Sequence, residues 1–268
     1  MRPTARAWRD LFSAAARGWE QTTRPGILVV AGVVVVDLFA SWIADRTIHR
    51  NQELAALEIH GEYAVRFLCA AAIMLAFTSQ RPLVERLGLR RATLSADLRW
   101  TAWVMLVVGA LVLMVTAAVL LGMQWAGVRL SPPRAAQIPW MQSPAAWLTM
   151  LRMGSITVVV APIVEEIIYR GIVFPALVTR MQPWKAIAAS AVLFAVLHAG
   201  PYGRGMFIPV ELVGGALMAL AFYLRRSIVP GILLHAAGNA LFLVEPMVRV
   251  QLYNFAPTLF AAEPLRPA

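Results

Sequence analysis

The sequence has a single cysteine, Cys69, so neither an intramolecular disulfide nor a cysteine-based metal cluster can form within one chain. Charged residues are also scarce: they make up 14% of the 268 residues, whereas hydrophobic residues reach 60%. Soluble domains are roughly a quarter charged and about half apolar. The composition therefore excludes an ordinary soluble domain and indicates an integral membrane protein.

Acidic residues are the rarer charge, with 14 Asp and Glu against 24 Lys and Arg and a net charge of +10. The basic residues lie mainly at the ends of apolar runs and are not interleaved with aromatic residues, so we expect no nucleic-acid partner. The first apolar run continues past a signal-peptide core and lacks a clear cleavage site. We expect residues 1–25 to form a cytoplasmic arm of a multi-pass protein of a bacterial plasma membrane.

The apolar runs predict an all-α fold, a polytopic transmembrane helix bundle of seven or eight spans surrounded by membrane lipid. Residues 26–145 would form N-terminal transmembrane helices, 146–246 a core of further spans, and 247–268 a C-terminal membrane segment and tail. The arm and the loop 80–100 carry five Arg each, which places both on the cytoplasmic side. The predicted spans lie near 26–44, 62–79, 101–126, 147–179, 184–200, 206–224 and 228–245, with a weaker one at 247–262.

Each ionisable residue within these runs is expected to have a structural or functional role. A charge at bilayer depth costs about 3 kcal/mol unless it is paired or hydrated. The chain has four histidines, and two of them, His198 and His235, fall in apolar runs. At about 1.5 Å rise per residue, Glu165 and His198 lie equally far from the turn near residue 182, so they can share one level. Other charged residues in these runs, such as Arg66 and Glu211, are expected to form interhelix pairs or to lie near the interface.

Spacing of four residues places side chains on one face of a helix. His235 and Asn239 are related in this way, and so are Glu166 and Arg170, in the order that favours an ion pair. That ion pair would give Glu166 a structural role. Its neighbour Glu165, about 100° away around the helix, could then face a different partner.

The carboxylate, the two imidazoles and the carboxamide suit hydrolysis, which needs a base for water and donors for an oxyanion. Glu165 would act as the base, His198 would orient the water, and His235 with Asn239 would donate to the oxyanion. Glu165, His198 and His235 could instead hold a divalent metal such as zinc, with an open position for water. The residue types do not choose between these two interpretations.

Three motifs occur in order: EEIIYR at 165–170, FAVLH at 194–198 and HAAGN at 235–239. Together they resemble the EExxxR, FxxxH and HxxxN/B motifs of the CPBP intramembrane proteases, which include the CAAX prenyl endopeptidases and bacteriocin-processing relatives. The resemblance implies a catalytic core over 146–246 that hydrolyses a membrane-associated peptide or protein. It implies catalytic roles for Glu165, His198, His235 and Asn239, and structural support from Glu166, Arg170 and Phe194.

Members of that family are described both as metalloproteases and as metal-free enzymes with a glutamate-activated water. The metal-free mechanism is slightly favoured here, because an Asn one turn from a His suits an oxyanion hole better than a metal shell. Two other functions compete with the protease. A transporter also uses intramembrane acids and histidines, although two related halves are not visible in the sequence. A non-catalytic scaffold or immunity protein would keep the helices alone.

Overall fold

The computed structural model describes residues 31, 32, 34–36, 64, 66, 68, 87–131, 146–198 and 208–260. These residues are nearly all helical, and within the described ranges the only extended pairing is one isolated bridge between Leu130 and Phe260. The predicted all-α class is confirmed. The helices are α1 (Arg91–Trp125), α2 (Ala146–Gly154), α3 (Ala161–Glu166), α4 (Phe174–Val178), α5 (Pro183–His198), α6 (Ile208–Arg225) and α7 (Val229–Phe255).

Two of the described helices, α1 and α7, are long and apolar enough to cross a membrane, and α5 is a shorter apolar helix. Residues 146–178, 183–198 and 208–225 are helical within two residues of the spans expected there. The expected spans at 26–44 and 62–79 lie largely outside the described residues. The count of seven or eight spans therefore stays a prediction.

The C-terminal boundary differs from the one expected. Spans at 228–245 and 247–262 were predicted as separate, but α7 continues through Pro246 to Phe255. A proline removes one backbone hydrogen bond and kinks a helix without always ending it. Residues 247–255 therefore continue α7 and do not begin a new helix, and the helix is followed by a short 3₁₀ turn at Pro257–Leu259.

The helical run from 146 to 178 is widened twice by π-helical turns, π1 at Ser155–Val160 and π2 at Ile167–Val173. A proline follows each of them within two residues, Pro162 after π1 and Pro175 after π2. Proline cannot donate a backbone hydrogen bond, and its ring crowds the carbonyl four residues earlier. Single π turns are a common way for a helix to accommodate such a disturbance and are frequent at functional sites. The two turns flank the acidic pair Glu165 and Glu166.

The hydrophobic core is formed where π2 and α4 pack against α5 and α6. Large aromatic side chains fill it: the Phe174 ring meets the rings of Phe222 and Tyr223 edge to face at 6.1 and 6.4 Å. Such pairs add to the free energy of burial. This core lies beside the acidic pair and fixes the helices that carry it.

The first turns of α1 and the segment just before it are joined to the turn between α6 and α7. Asp97 is buried and accepts two hydrogen bonds on Oδ1 from the Arg225 guanidinium, at 2.7 and 2.9 Å. The Ile228 amide donates to the Leu87 carbonyl at 2.9 Å. The sequence was interpreted as a loop over 80–100, but the chain is helical from Arg91. The contacts of this segment place it at the same end of the bundle as the Arg225 turn.

Gly88 and Gly127 both have positive φ, +66° and +69°, and only Gly88 packs against another segment. A Cβ on Gly88 would overlap the backbone carbonyl of Arg226, whereas a Cβ on Gly127 meets nothing within 4 Å. We expect Gly127→Ala to lower the free energy of unfolding by about 1 kcal/mol, the backbone cost alone. Gly88→Ala should lower it by about 3 kcal/mol or more, because a backbone clash is added.

Thermal melting of the two variants in detergent, followed by loss of the monodisperse size-exclusion peak, checks this prediction. Gly127→Ala is the matched control, since it carries the same backbone strain. Equal melting temperatures for the two variants would contradict the close packing of Gly88 on Arg226.

Candidate active site

Glu165 is a buried carboxylate, 3% exposed, on the last turn of α3. Its Oε2 lies 3.1 Å from His198 Nε2 at the end of α5 and 3.7 Å from His235 Nε2 on α7. The three side chains come from three separate helices. The structure thus brings together an acid and two imidazoles, of which the sequence had placed only Glu165 and His198 at one level.

His198 is held in a defined orientation. Its Nδ1 donates to the Phe194 carbonyl at 2.7 Å, because a carbonyl can only accept, and Nε2 therefore faces Glu165. The contact between Nε2 and Oε2 needs one proton, carried either by the ring or by the carboxyl group. The side chain is 27% exposed, so this end of the cluster is open to a small molecule such as water.

His235 lies between the two acidic residues. Its Nε2 faces Glu165, while Nδ1 is 3.3 Å from Glu166 Oε1. The residue is 7% exposed and lies on the first part of α7. One imidazole thus lies against both neighbouring carboxylates, for which the sequence predicted different partners.

Glu166 and Arg170 form a fully buried ion pair, with Arg170 Nη1 2.7 Å from Glu166 Oε1. Arg170 also donates from Nη2 to the Gly215 carbonyl of α6 at 2.9 Å. On the other side, α7 approaches so closely that a Cβ on Gly231 would overlap Glu166 Oε2. The ion pair therefore holds π2, α6 and α7 together next to the histidines.

Phe194 is the aromatic support of the site and is fully buried. Its ring lies 4.1 Å from the His198 ring and meets the His235 ring edge to face at 5.5 Å. The Arg170 guanidinium carbon lies 4.9 Å from the centroid of the same Phe194 ring, a cation–π distance. One side chain thereby contacts both imidazoles and the cation of the ion pair.

Asn239, one turn after His235 on α7, is held by π1. Its Nδ2 donates to the Thr157 carbonyl at 2.6 Å. In π1 the Ala161 amide donates to the Ile156 carbonyl, and Pro162 has no amide hydrogen to donate. The widened turn thus directs the Thr157 carbonyl to a side-chain donor, a contact that the motif spacing does not reveal.

Arg66 is the residue whose place in the site was missed. It was expected to form some interhelix pair, and its Nη1 lies 3.8 Å from Glu165 Oε1. The residue is 8% exposed, although Ala64 and Leu68 beside it are exposed. An arginine inside an apolar run was the only available signal, and it did not identify the partner.

The trio Glu165, His198 and His235 does not fit a zinc site. Across the part of the chain that the structure describes, no group of three His, Cys, Asp or Glu side chains could hold a metal ion. The Glu165 carboxylate contacts His198 through one oxygen and the Arg66 cation through the other. A divalent ion there would be placed beside a fixed positive charge.

The residues of this site lie in a part of the chain that matches a known protein family. Residues 144–241, which carry all three motifs, match the family model described as type II CAAX prenyl endopeptidase Rce1-like. Residues 144–241 are thus similar to an Rce1-like domain. The assignment confirms the resemblance to the CPBP intramembrane proteases. No curated protein and no solved structure matches the chain.

The Rce1-like domain and the apolar helices together indicate a membrane protease. The cluster around Glu165 lies wholly within the matched residues, apart from Arg66. Its acid, imidazoles and amide are the groups from which a water-activating hydrolase site is built.

Proposed function

We propose that the protein is an intramembrane endopeptidase that hydrolyses a peptide bond of a membrane-associated substrate with a Glu165- and His198-activated water. The observation that carries the proposal is the approach of two imidazole nitrogens, from α5 and α7, to one buried carboxylate oxygen. A general base must lie within hydrogen-bond reach of the proton that it removes. Water seated against Glu165 Oε2 and His198 Nε2 would meet that condition.

In the proposed reaction the water oxygen bonds to the scissile carbonyl carbon while its proton passes to Glu165. The carbonyl oxygen becomes an oxyanion, and His235 Nε2–H and Asn239 donate to it. An amide NH₂ group has two hydrogens, so Asn239 can donate to Thr157 and to an oxyanion at once. The C–N bond then breaks, and the proton on Glu165 passes to the leaving amine.

The proposed topology is multi-pass with a cytoplasmic N-terminus, in a bacterial plasma membrane. The excess of Arg in the arm and in the loop 80–100 supports it. The contacts of Leu87 and Asp97 with the turn at 225–228 support it too, because that turn carries Arg225 and Arg226. The described start of α1 and the Arg225 turn thereby lie at one end of the bundle.

The assay for this proposal uses the full chain in phospholipid nanodiscs and internally quenched peptides ending in Cys-aliphatic-aliphatic-X, farnesylated and unmodified. A second arm adds a membrane-protein extract and detects new peptide termini by mass spectrometry. We expect cleavage in at least one arm. New termini in neither arm would contradict the protease and favour a transporter or a scaffold.

The metal-free character of the proposed reaction has its own test. Because Arg66 and His198 engage the Glu165 carboxylate, we expect EDTA and 1,10-phenanthroline to change the cleavage rate by less than about twofold. The rate is measured on the peptide cleaved in the first assay, with thermolysin as the chelator-sensitive control. Loss of activity that added zinc restores would contradict the metal-free mechanism and keep the protease.

A further inference from the structure

The carboxylate of Glu165 is contacted on both of its oxygens. Oε2 faces the two histidines, and Oε1 faces Arg66 at 3.8 Å. The terminal torsion of a glutamate is broad, so one contact alone would let the plane of the carboxylate turn away from the histidines. With Arg66 on Oε1, Oε2 stays directed at His198 and His235.

The charges of the buried cluster also indicate a role for Arg66. Glu165 and Glu166 are adjacent in the chain, and both are buried. Arg170 pairs with Glu166 at 2.7 Å, so this pair is neutral as a unit. A second buried carboxylate is costly without a cation of its own. Arg66 supplies that cation to Glu165.

Arg66 also comes from outside the Rce1-like domain, which begins at residue 144. It lies inside the bundle, with its side chain 10% exposed, and that of Glu165 is 4% exposed. Water therefore screens this interaction far less than it screens a surface pair. The N-terminal part of the chain thus reaches the acid of the domain.

We propose that Arg66 is a positioning residue of the active site, which holds the Glu165 carboxylate so that one oxygen faces both imidazoles. This inference rests on the proposed protease function. The guanidinium acts on the rate through Glu165 and not through the substrate, so its removal should lower kcat and leave KM nearly unchanged.

The test compares Arg66→Gln, Arg66→Lys and Arg225→Gln in the full chain in nanodiscs, with the quenched peptide cleaved by the wild type. We expect Arg66→Gln to lower kcat about 10²-fold, the cost of a misplaced catalytic group, with KM within about twofold. Arg66→Lys keeps the cation and should recover about tenfold of that loss. Arg225→Gln breaks the pair with Asp97 away from the site and should lower the melting temperature with unchanged kcat per folded molecule.

The outcomes separate this inference from the proposed function. Wild-type kcat in Arg66→Gln, alongside inactive Glu165→Gln, would overturn the role of Arg66 alone. An equal loss of kcat in Arg66→Lys and Arg66→Gln would also overturn it. So would a rise in KM that accounts for the whole loss of kcat/KM. If the wild-type chain cleaves nothing, both proposals fall. Rates are normalised to the monodisperse size-exclusion peak, so a poorly folded variant does not imitate a loss of kcat.

Discussion

Glu165→Gln is expected to lower the rate of peptide hydrolysis by about 10³-fold or more. Glutamine has nearly the same shape and can still contact His198, but its amide cannot take a proton from water. Oε2 is the atom that both imidazoles approach, so the substitution removes the proposed base from the centre of the site. The measurement is the single-turnover cleavage rate of the quenched peptide in nanodiscs, per folded molecule.

Glu245→Gln is the matched control for this substitution. Glu245 also lies on a long helix, but its side chain is 60% exposed and its ion pair with Arg249 is 4.0 Å long. The control should cleave at the wild-type rate. Cleavage by Glu165→Gln within about tenfold of wild type would contradict its role as the base, even with the fold intact.

Arg170→Met is expected to lower the free energy of unfolding by about 3–5 kcal/mol. The substitution leaves the Glu166 carboxylate buried without the cation that lies 2.7 Å away. It also removes the hydrogen bond to Gly215 and the contact with the Phe194 ring. Thermal melting combined with unfolding in a denaturing detergent measures the change.

Two further variants test the cause of that loss. The double variant Glu166→Gln with Arg170→Met removes both charges, and we expect it to recover part of the stability, about 1–2 kcal/mol. Arg249→Met breaks the exposed pair with Glu245 and should change stability by less than about 0.5 kcal/mol. If Arg170→Met were no more destabilising than Arg249→Met, the buried pair would not be a structural support.

The parts of the site that lie on one helix could be predicted well. Glu166 and Arg170 are four residues apart, and the ion pair between them is present. His198 lies one turn after Phe194, and its ring packs on the phenyl ring at 4.1 Å. Helical spacing sets such neighbours directly, because each residue turns the chain by about 100°.

Relations between helices were less accessible. The helix rise placed Glu165 and His198 at one level, but the sequence did not show that His235 lies between Glu165 and Glu166. The π turn that directs the Thr157 carbonyl to Asn239 was also missed, although Pro162 was a signal for it. A one-residue widening changes which carbonyls are paired without altering the apolar pattern.

Composition and spacing in the sequence by themselves determined the helical class, the membrane character and the three motifs, because each depends on residue type or on the fixed geometry of a single helix. The tertiary structure alone decided that Arg66 meets Glu165 and that Asp97 meets Arg225. Those contacts join residues about 100 or more positions apart. Their partners depend on how whole helices rotate and pack, which no local pattern encodes.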